Sequence, residues 1–405
     1  MIPKDIILKI VEAGTWAPSG DNCQPWRFIW DGQKLLLLNV PERDTSLYNS
    51  RQRASLIAHG AVLENMDIAA RSYGYSMCPT LFPEGEGNPL VAAIEFQECP
   101  RKDDPLLPFI TKRVTNRNPY KKRKTIGKEV IAALMSIPEK MDLGELYLIS
   151  NNLPSPFTPE IPPSPPLQKG GWEDLYVPLD KEGHPLSPPL EKGDTGGFSG
   201  QRKLLARTVA THDRMLFEDE KLHHFVFEHI RWSEKESLQT KDGMPIKTMG
   251  LNSLQIPAFK LLRNWGMVSF LNIFGLSHML PFQSYKLCLG SSAMGLIQMP
   301  GTTPEDFVLG GRLLQRVWLT ATKHGLAFHP MTGITFLIQR LYLDREPGFS
   351  EAHKKLLEKA WGYLRNVFPV DRSKGIIMLF RLGYAPLPST RAPRRAINDA
   401  LFLID

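Results

Sequence analysis

Cysteine is scarce in this chain and shows no pattern. Cys23, Cys78, Cys99 and Cys288 are its four cysteines in 405 residues, and no two stand at a paired spacing. Neither a disulfide framework nor a thiolate metal site is therefore expected, and a reducing, cytoplasmic setting is the default. Long apolar runs are missing as well. The most apolar late segment, Trp265 to Leu276, contains Asn272, lies between Arg263 and Lys286, and is too short to span a bilayer. It reads as a buried helix or a lid, and no membrane partner is expected. No secretory leader is evident, since Met1-Ile2-Pro3-Lys4-Asp5 runs straight into an amphipathic helix. The formal charge of +7 favours anionic ligands, but no nucleic-acid motif accompanies it, so no nucleic acid is expected. His223, His224 and His229 stand near Glu218, Asp219 and Glu220, yet His224 and His229 are five apart and share no helix face. They read as a solvated face, with no metal site.

What is present is the composition of a globular protein, 42% hydrophobic and 22% charged, and long enough for one large domain or two ordinary ones. Ile6 to Ala13 reads as a helix. Trp26 to Trp30 and Lys34 to Val40 flank Asp31-Gly32 as a hairpin. Ser55 to Tyr73 is a helix in which Leu56, Gly60, Leu63, Met66 and Ala70 recur at helical spacing, and Val91 to Phe96 is a strand. A second start follows at Thr111, with a helix over Gly127 to Met135 and a strand over Leu143 to Ile149. This echo of the opening points to a divergent internal duplication, residues 1–110 against 111–405. Later elements are a long charged helix from Leu204 to Trp232, a helix from Pro304 to His324 closed by Gly325, and a buried strand from Ile376 to Leu382. Residues 152–200 differ in kind. Pro162-Pro163-Ser164-Pro165-Pro166-Leu167 returns, altered, as Pro185-Leu186-Ser187-Pro188-Pro189-Leu190, and such Pro/Gly-rich repeats read as an exposed, disordered insertion.

Four short segments carry chemistry. Ala17-Pro18-Ser19-Gly20-Asp21-Asn22-Cys23-Gln24-Pro25-Trp26 sets a hydroxyl, a carboxylate and two amides between turn formers, a donor set able to read the edge of a flat heterocycle. The same residues also suit an ordinary helix-to-strand connection. Arg113-Val114-Thr115-Asn116-Arg117 alternates its cations and hydroxyl, which on an extended chain puts them on one side, where they suit a phosphate. Gly325-Leu326-Ala327-Phe328-His329-Pro330-Met331-Thr332-Gly333 offers backbone N–H groups at close-approach positions. Arg391-Ala392-Pro393-Arg394-Arg395 adds a second cationic cluster. Two such clusters can surround one small phosphate.

Taken with Gly60-Ala61-Val62-Leu63-Glu64-Asn65, Leu314-Gln315-Arg316-Val317-Trp318 and Arg381-Leu382-Gly383-Tyr384-Ala385-Pro386, these segments resemble the FMN-dependent nitroreductase family, and within it the fused, two-halved type. The resemblance implies an α+β fold in which a mainly antiparallel sheet is flanked by helices and duplicated within the chain, as a monomer with an internal pseudo-dimer or as a homodimer. It implies FMN as cofactor. Arg113 and Thr115 would hold the phosphate and ribityl chain, Arg117 the pyrimidine edge, and Pro18, Ser19, Asn22 and Gln24 the ring and ribityl. Pro330, Met331 and Gly333 would face the flavin, with the Gly333 amide at N5, while Arg394 and Arg395 would complete the phosphate clamp, with Arg391 beside them. Two departures stand out. The arginine motif opens the second half here rather than preceding the polar turn, and Gly20 stands where many members carry Ser.

A cation near reduced flavin stabilises its negative charge and favours two-electron chemistry. The activity implied is hydride transfer from NAD(P)H to a small acceptor such as a nitroaromatic or a quinone, with no catalytic side chain named. A non-catalytic protein storing FMN is the alternative. The compositional reading of 152–200 has a direct check. Limited proteolysis cuts first between Pro154 and Gly200, and resistance of that stretch contradicts the reading.

Overall fold

The computed structural model describes residues 2–122, 124–153, 198–252, 254–344 and 348–404. Most of the repeat-containing insertion expected over 152–200 lies outside the described residues. The chain is α+β, with its strands in two main sheets.

The first sheet has the order β11-β1-β2-β4-β3, formed by β1 (Trp26–Trp30), β2 (Leu35–Asn39), β3 (Tyr75–Leu81), β4 (Leu90–Glu98) and β11 (Leu401–Leu403). The expected hairpin is present. β1 and β2 pair antiparallel from Trp26↔Asn39 to Trp30↔Leu35, and the Asp31 carboxylate accepts the Gln33 and Lys34 N–H groups at 2.9 and 2.7 Å. The edge beyond β1 is closed by the chain's own C-terminus, with β11 parallel to β1 and Phe28 opposite Leu401.

The second sheet, β5-β8-β10-β9, comprises β5 (Glu145–Ser150), β8 (Ala293–Met299), β9 (Ala327–Pro330) and β10 (Gly375–Gly383). β8 and β10 are buried along their whole length, which is why they read as continuous apolar runs. A small parallel pair, β6 (Ile230–Arg231) with β7 (Met244–Pro245), stands apart from both.

Between the two main sheets run two 20-residue helices, Arg53–Ser72 and Pro304–Lys323. Where they cross, each carries a glycine facing the other. A Cβ on Gly60 would lie 1.8 Å from the Val308 carbonyl oxygen, and one on Gly311 would lie 2.1 Å from that of Ile57. So the Gly60 noted in the apolar spacing is a close-approach residue. Glu64, fully buried, accepts from Arg312 at 3.1 Å and also from Arg316, which reaches Asp104 at 3.0 Å. Gln315 donates to Asn65 at 2.6 Å. These charges are tolerable at depth because each is paired and hydrogen-bonded. The far face of the second sheet is covered by the helices Phe198–Glu218, Thr332–Leu343 and Glu351–Arg365, which form a second core with it.

Three sequence expectations need correction. The long helix expected over Leu204 to Trp232 breaks at Asp219, whose side chain accepts the Leu222 N–H and caps a new helix, Glu220–Glu228. Within it His223 is buried against Phe227 and bonded to the Leu262 carbonyl at 2.8 Å, so the three histidines are not one solvated face. The Trp265–Asn272 helix is not a buried one. Val268 is covered, but Phe270, Ile273 and Phe274 are 56, 77 and 70% exposed, because a single face of this stretch meets the second core.

The glycine crossing is open to measurement. Gly60→Val forces the helix pair apart and lowers stability by roughly 1–3 kcal/mol, read as a fall in Tm. Gly362→Ala, with nothing within 4 Å of the new methyl, leaves Tm unchanged or raises it.

Candidate functional site

Two adjoining cavities, of about 350 and 100 Å³, open where the polar turn meets the arginine segment. Pro18, Ser19, Asp21, Thr115, Arg117 and Met244 belong to both walls, so the two spaces adjoin along these residues.

The turn takes a left-handed bend, which Asp21 and Asn22 tolerate better than Gln24. Asp21, Asn22 and Gln24 have φ of 44°, 57° and 52°, each costing on the order of 1 kcal/mol for a side chain with a Cβ. Something must hold them, and the holding is done by the C-terminal arm. Asn22 donates to the Pro393 carbonyl at 3.0 Å and accepts from Arg394. Gln24 accepts from the Arg395 N–H at 2.9 Å and donates to the Lys241 carbonyl at 2.7 Å, while the Ser19 hydroxyl accepts the Gln24 N–H at 3.0 Å. The turn and the arm, some 370 residues apart in the chain, are thereby tied into one unit.

The smaller cavity is a cationic subsite. Arg113, Arg391 and Arg394 line it together with Trp16 and Asn22. Arg113, 3% exposed, lies 4.5 Å from the Trp318 ring and donates to the Trp16 carbonyl at 2.8 Å. Arg394 donates to the Ala17 carbonyl at 3.1 Å, and Arg391 to the Arg113 carbonyl at 2.6 Å. Among the described residues, none of these three guanidinium groups has a carboxylate within ion-pair distance, and the Nε of both Arg113 and Arg394 is buried without a partner. Burial, reinforced by Arg394 and Arg391, drives the Arg113 group well below its ordinary pKa. Burial and Arg391 bring Arg394 down to about 10. Cations gathered in this way, with donors left over, match a bound oxyanion such as phosphate.

The larger cavity is mostly apolar, walled by Ile57, Val209, Leu216, Trp318 and Ile334, with a few convergent polar groups. The arginine segment reaches it by running beside β9. Thr115 bridges to Phe328, and the Asn116 N–H donates to the Phe328 carbonyl at 2.9 Å; Arg113, Val114, Thr115 and Arg117 all line the smaller cavity, so the segment is not strictly alternating there. Arg117 stands at the junction and donates to the Thr248 carbonyl at 3.3 Å. Burial lowers its pKa, against the pull of Asp21. Asp21 in turn is raised by burial despite His229, Arg117 and His212 nearby. His329 accepts the Arg381 Nε–H at 3.0 Å through Nδ1. That bond fixes the proton on Nε2, and burial with Arg381 and Arg117 drives the imidazole well below its usual pKa, so it is neutral.

Pro330, Met331 and Gly333 line the larger cavity. The Met331 N–H is committed to the Leu379 carbonyl at 2.7 Å. The helix Thr332–Leu343 starts there with no side-chain cap, leaving its first-turn N–H groups available to a ligand. Of the twelve residues predicted from sequence, ten line one or other cavity. Gln24 and Arg395 line neither; Gln24 ties the arm, and Arg395 pairs with Asp242 at 3.2 Å. Sequence reading missed Tyr48, His212, Asp213 and Ser284, which also line the larger cavity. They come from separate elements with no local motif, and only the adjacent His212-Asp213 pair offered any signal. Among the described residues, no group of three or more His, Cys, Asp or Glu is placed to hold a metal, and no helix is long and apolar enough to cross a membrane.

No family model matches the chain. An uncharacterized protein of Mycobacterium tuberculosis is 25% identical to it over 394 residues, covering 95% of this chain and 47% of that protein. The chain thus spans about half the length of the curated relative it matches. Among solved structures it is similar to the nitroreductase-like family protein of Bacillus cereus, at 11% identity and a TM-score of 0.32, over 75% of this chain and 98% of that one. It is also similar to the FMN-dependent nitroreductase of Mycobacterium smegmatis solved in complex with NADPH, at 12% identity and a TM-score of 0.31, over 72% of this chain and 94% of that one.

Proposed function

We propose that the protein binds one FMN across the two cavities and passes hydride from NAD(P)H to a small oxidised acceptor such as a nitroaromatic or a quinone. One observation carries this reading. Three guanidinium groups that, among the described residues, have no carboxylate partner line a small pocket that adjoins, at Pro18, Ser19 and Thr115, a larger and mostly apolar space. A ligand with a compact dianionic end and a broad apolar body answers both requirements, and a phosphorylated flavin has that form.

In this reading Arg113, Arg391 and Arg394 bind the phosphate, and Thr115, Ser19 and Asn22 border the linker. Pro18 and the Pro330–Gly333 turn abut the ring. The bound flavin supplies two-electron redox chemistry. The chain's own residues position and charge the site. Arg117 at the junction opposes negative charge building up on the ring. Neutral His329 offers an Nε2–H donor. Ile57, Leu216 and Trp318 exclude water, which strengthens each polar contact. The two sheets are read as the two halves of a fused nitroreductase-like chain, 1–110 and 111–405, with 152–200 inserted in the second. Parallel pairing of β11 with β1 carries the C-terminal arm from one half to the other.

Purified protein is accordingly yellow, with an FMN spectrum at one flavin per chain. The double substitution Arg113→Ala/Arg394→Ala loses the flavin. Reduced nicotinamide bleaches the wild-type spectrum within the mixing experiment. A flavin that dithionite reduces and nicotinamides do not would instead indicate storage, and a colourless protein that takes up no FMN would overturn the reading.

A further inference from the structure

Four polar side chains from three distant segments meet in the wall of the larger cavity. The Tyr48 hydroxyl lies 2.9 Å from His212 Nε2, and His212 Nδ1 lies 3.0 Å from Asp213 Oδ1. The Ser284 hydroxyl donates to the other Asp213 oxygen. All four residues line the same space as Arg117 and the Pro330–Gly333 turn. His212 is pressed onto that turn, for a Cβ on Gly333 would lie 2.3 Å from its Nε2. The outer members reach water, with the side chains of His212 and Asp213 20 and 24% exposed.

We infer that Tyr48 is a catalytic proton donor, recharged through His212, for an acceptor that presents a carbonyl or nitro oxygen to the cavity. This rests on the redox reading above and adds what that reading lacks, a source for the proton that accompanies hydride.

The hydrogen-bond inventory sets the direction of transfer. A carboxylate only accepts, so His212 Nδ1 carries a proton toward Asp213. When Nε2 is protonated as well, it donates to the Tyr48 oxygen and leaves the phenolic proton for a ligand. In the transfer the Tyr48 O–H bond breaks as the acceptor O–H forms, and the Nε2 proton moves to the Tyr48 oxygen. His212 is left neutral with Nδ1–H still on Asp213, and a proton from bulk solvent recharges Nε2. With a quinone, one reduced nicotinamide supplies hydride and the relay supplies one proton, giving one hydroquinone and one oxidised nicotinamide. Burial, and then Asp21, Asp213 and Asp219, push the Tyr48 hydroxyl well above its usual pKa, which keeps it a donor at neutral pH. Asp213 and Ser284 act through His212 as positioning residues.

The test compares two acceptors in the full-length, FMN-loaded protein. Menadione takes up protons as it is reduced, whereas ferricyanide takes an electron alone. Tyr48→Phe lowers the menadione rate by on the order of 100-fold, and ferricyanide reduction by less than about 2-fold (the split expected when one proton donor contributes a typical general-acid factor). Asp213→Asn lowers kcat for menadione and leaves its KM near wild type. A second readout needs no turnover. In infrared difference spectra, the carbonyl stretch of bound menadione lies at lower wavenumber in wild type than in Tyr48→Phe. Unchanged menadione reduction, an equal fall with both acceptors, or an unmoved carbonyl band each overturns the relay while a yellow, nicotinamide-bleached protein leaves the redox reading standing. If the protein holds no FMN, that reading fails, and the carbonyl band alone decides whether Tyr48 donates.

Discussion

Positive charge that the protein itself does not neutralise is the constraint around which this structure is arranged. Arg113, Arg391 and Arg394 crowd one small cavity, two of them with a buried Nε that has no partner. Burying like charges together is costly unless something returns the energy. The fold meets that cost with carbonyl oxygens from Trp16, Ala17, Thr111 and Arg113, which accept hydrogen bonds but carry no net charge. What is left over is the pair of buried, unpartnered Nε–H groups on Arg113 and Arg394, which the proposed phosphate would take up. The left-handed residues Asp21, Asn22 and Gln24 are held by the same arm that delivers Arg394.

The rest of the fold serves to bring that arm home. The two central helices cross at Gly60 and Gly311, close enough that backbone meets backbone, and the Glu64 network locks their register. This fixes the two sheets relative to each other. The C-terminal segment can then leave β10 in one sheet and end as β11 in the other, passing the polar turn on its way. The two adjoining cavities and the interface between sheets are in this sense one structure, and the Tyr48–His212–Asp213 cluster spans it too. Tyr48 follows the first sheet's hairpin, while His212 and Asp213 lie on a helix covering the second.

Much of this was legible in the residues. Asp31-Gly32 between apolar runs gave the hairpin, and helical spacing gave both central helices. What escaped had physical reasons. An amide in a turn serves a ligand or a neighbouring chain segment equally well, and nothing local records that Gln24 holds the arm. A single Asp cap at Asp219 split a helix whose charge pattern ran on unbroken. The apolar stretch from Trp265 has enough hydrophobic residues to be buried, but nothing local records that only one face meets the core. Tyr48, His212 and Ser284 are ordinary in their own segments, and only the tertiary fold brings them together.

The central claim is that the arginine pocket recognises a phosphate. It is tested most directly by titrating flavin-free protein with FMN and with riboflavin, which differ in that group alone. The account predicts that FMN binds at least 100-fold more tightly (about 2.7 kcal/mol at 1.36 kcal/mol per tenfold) and that added salt erodes the difference. Equal affinity for the two flavins would contradict it.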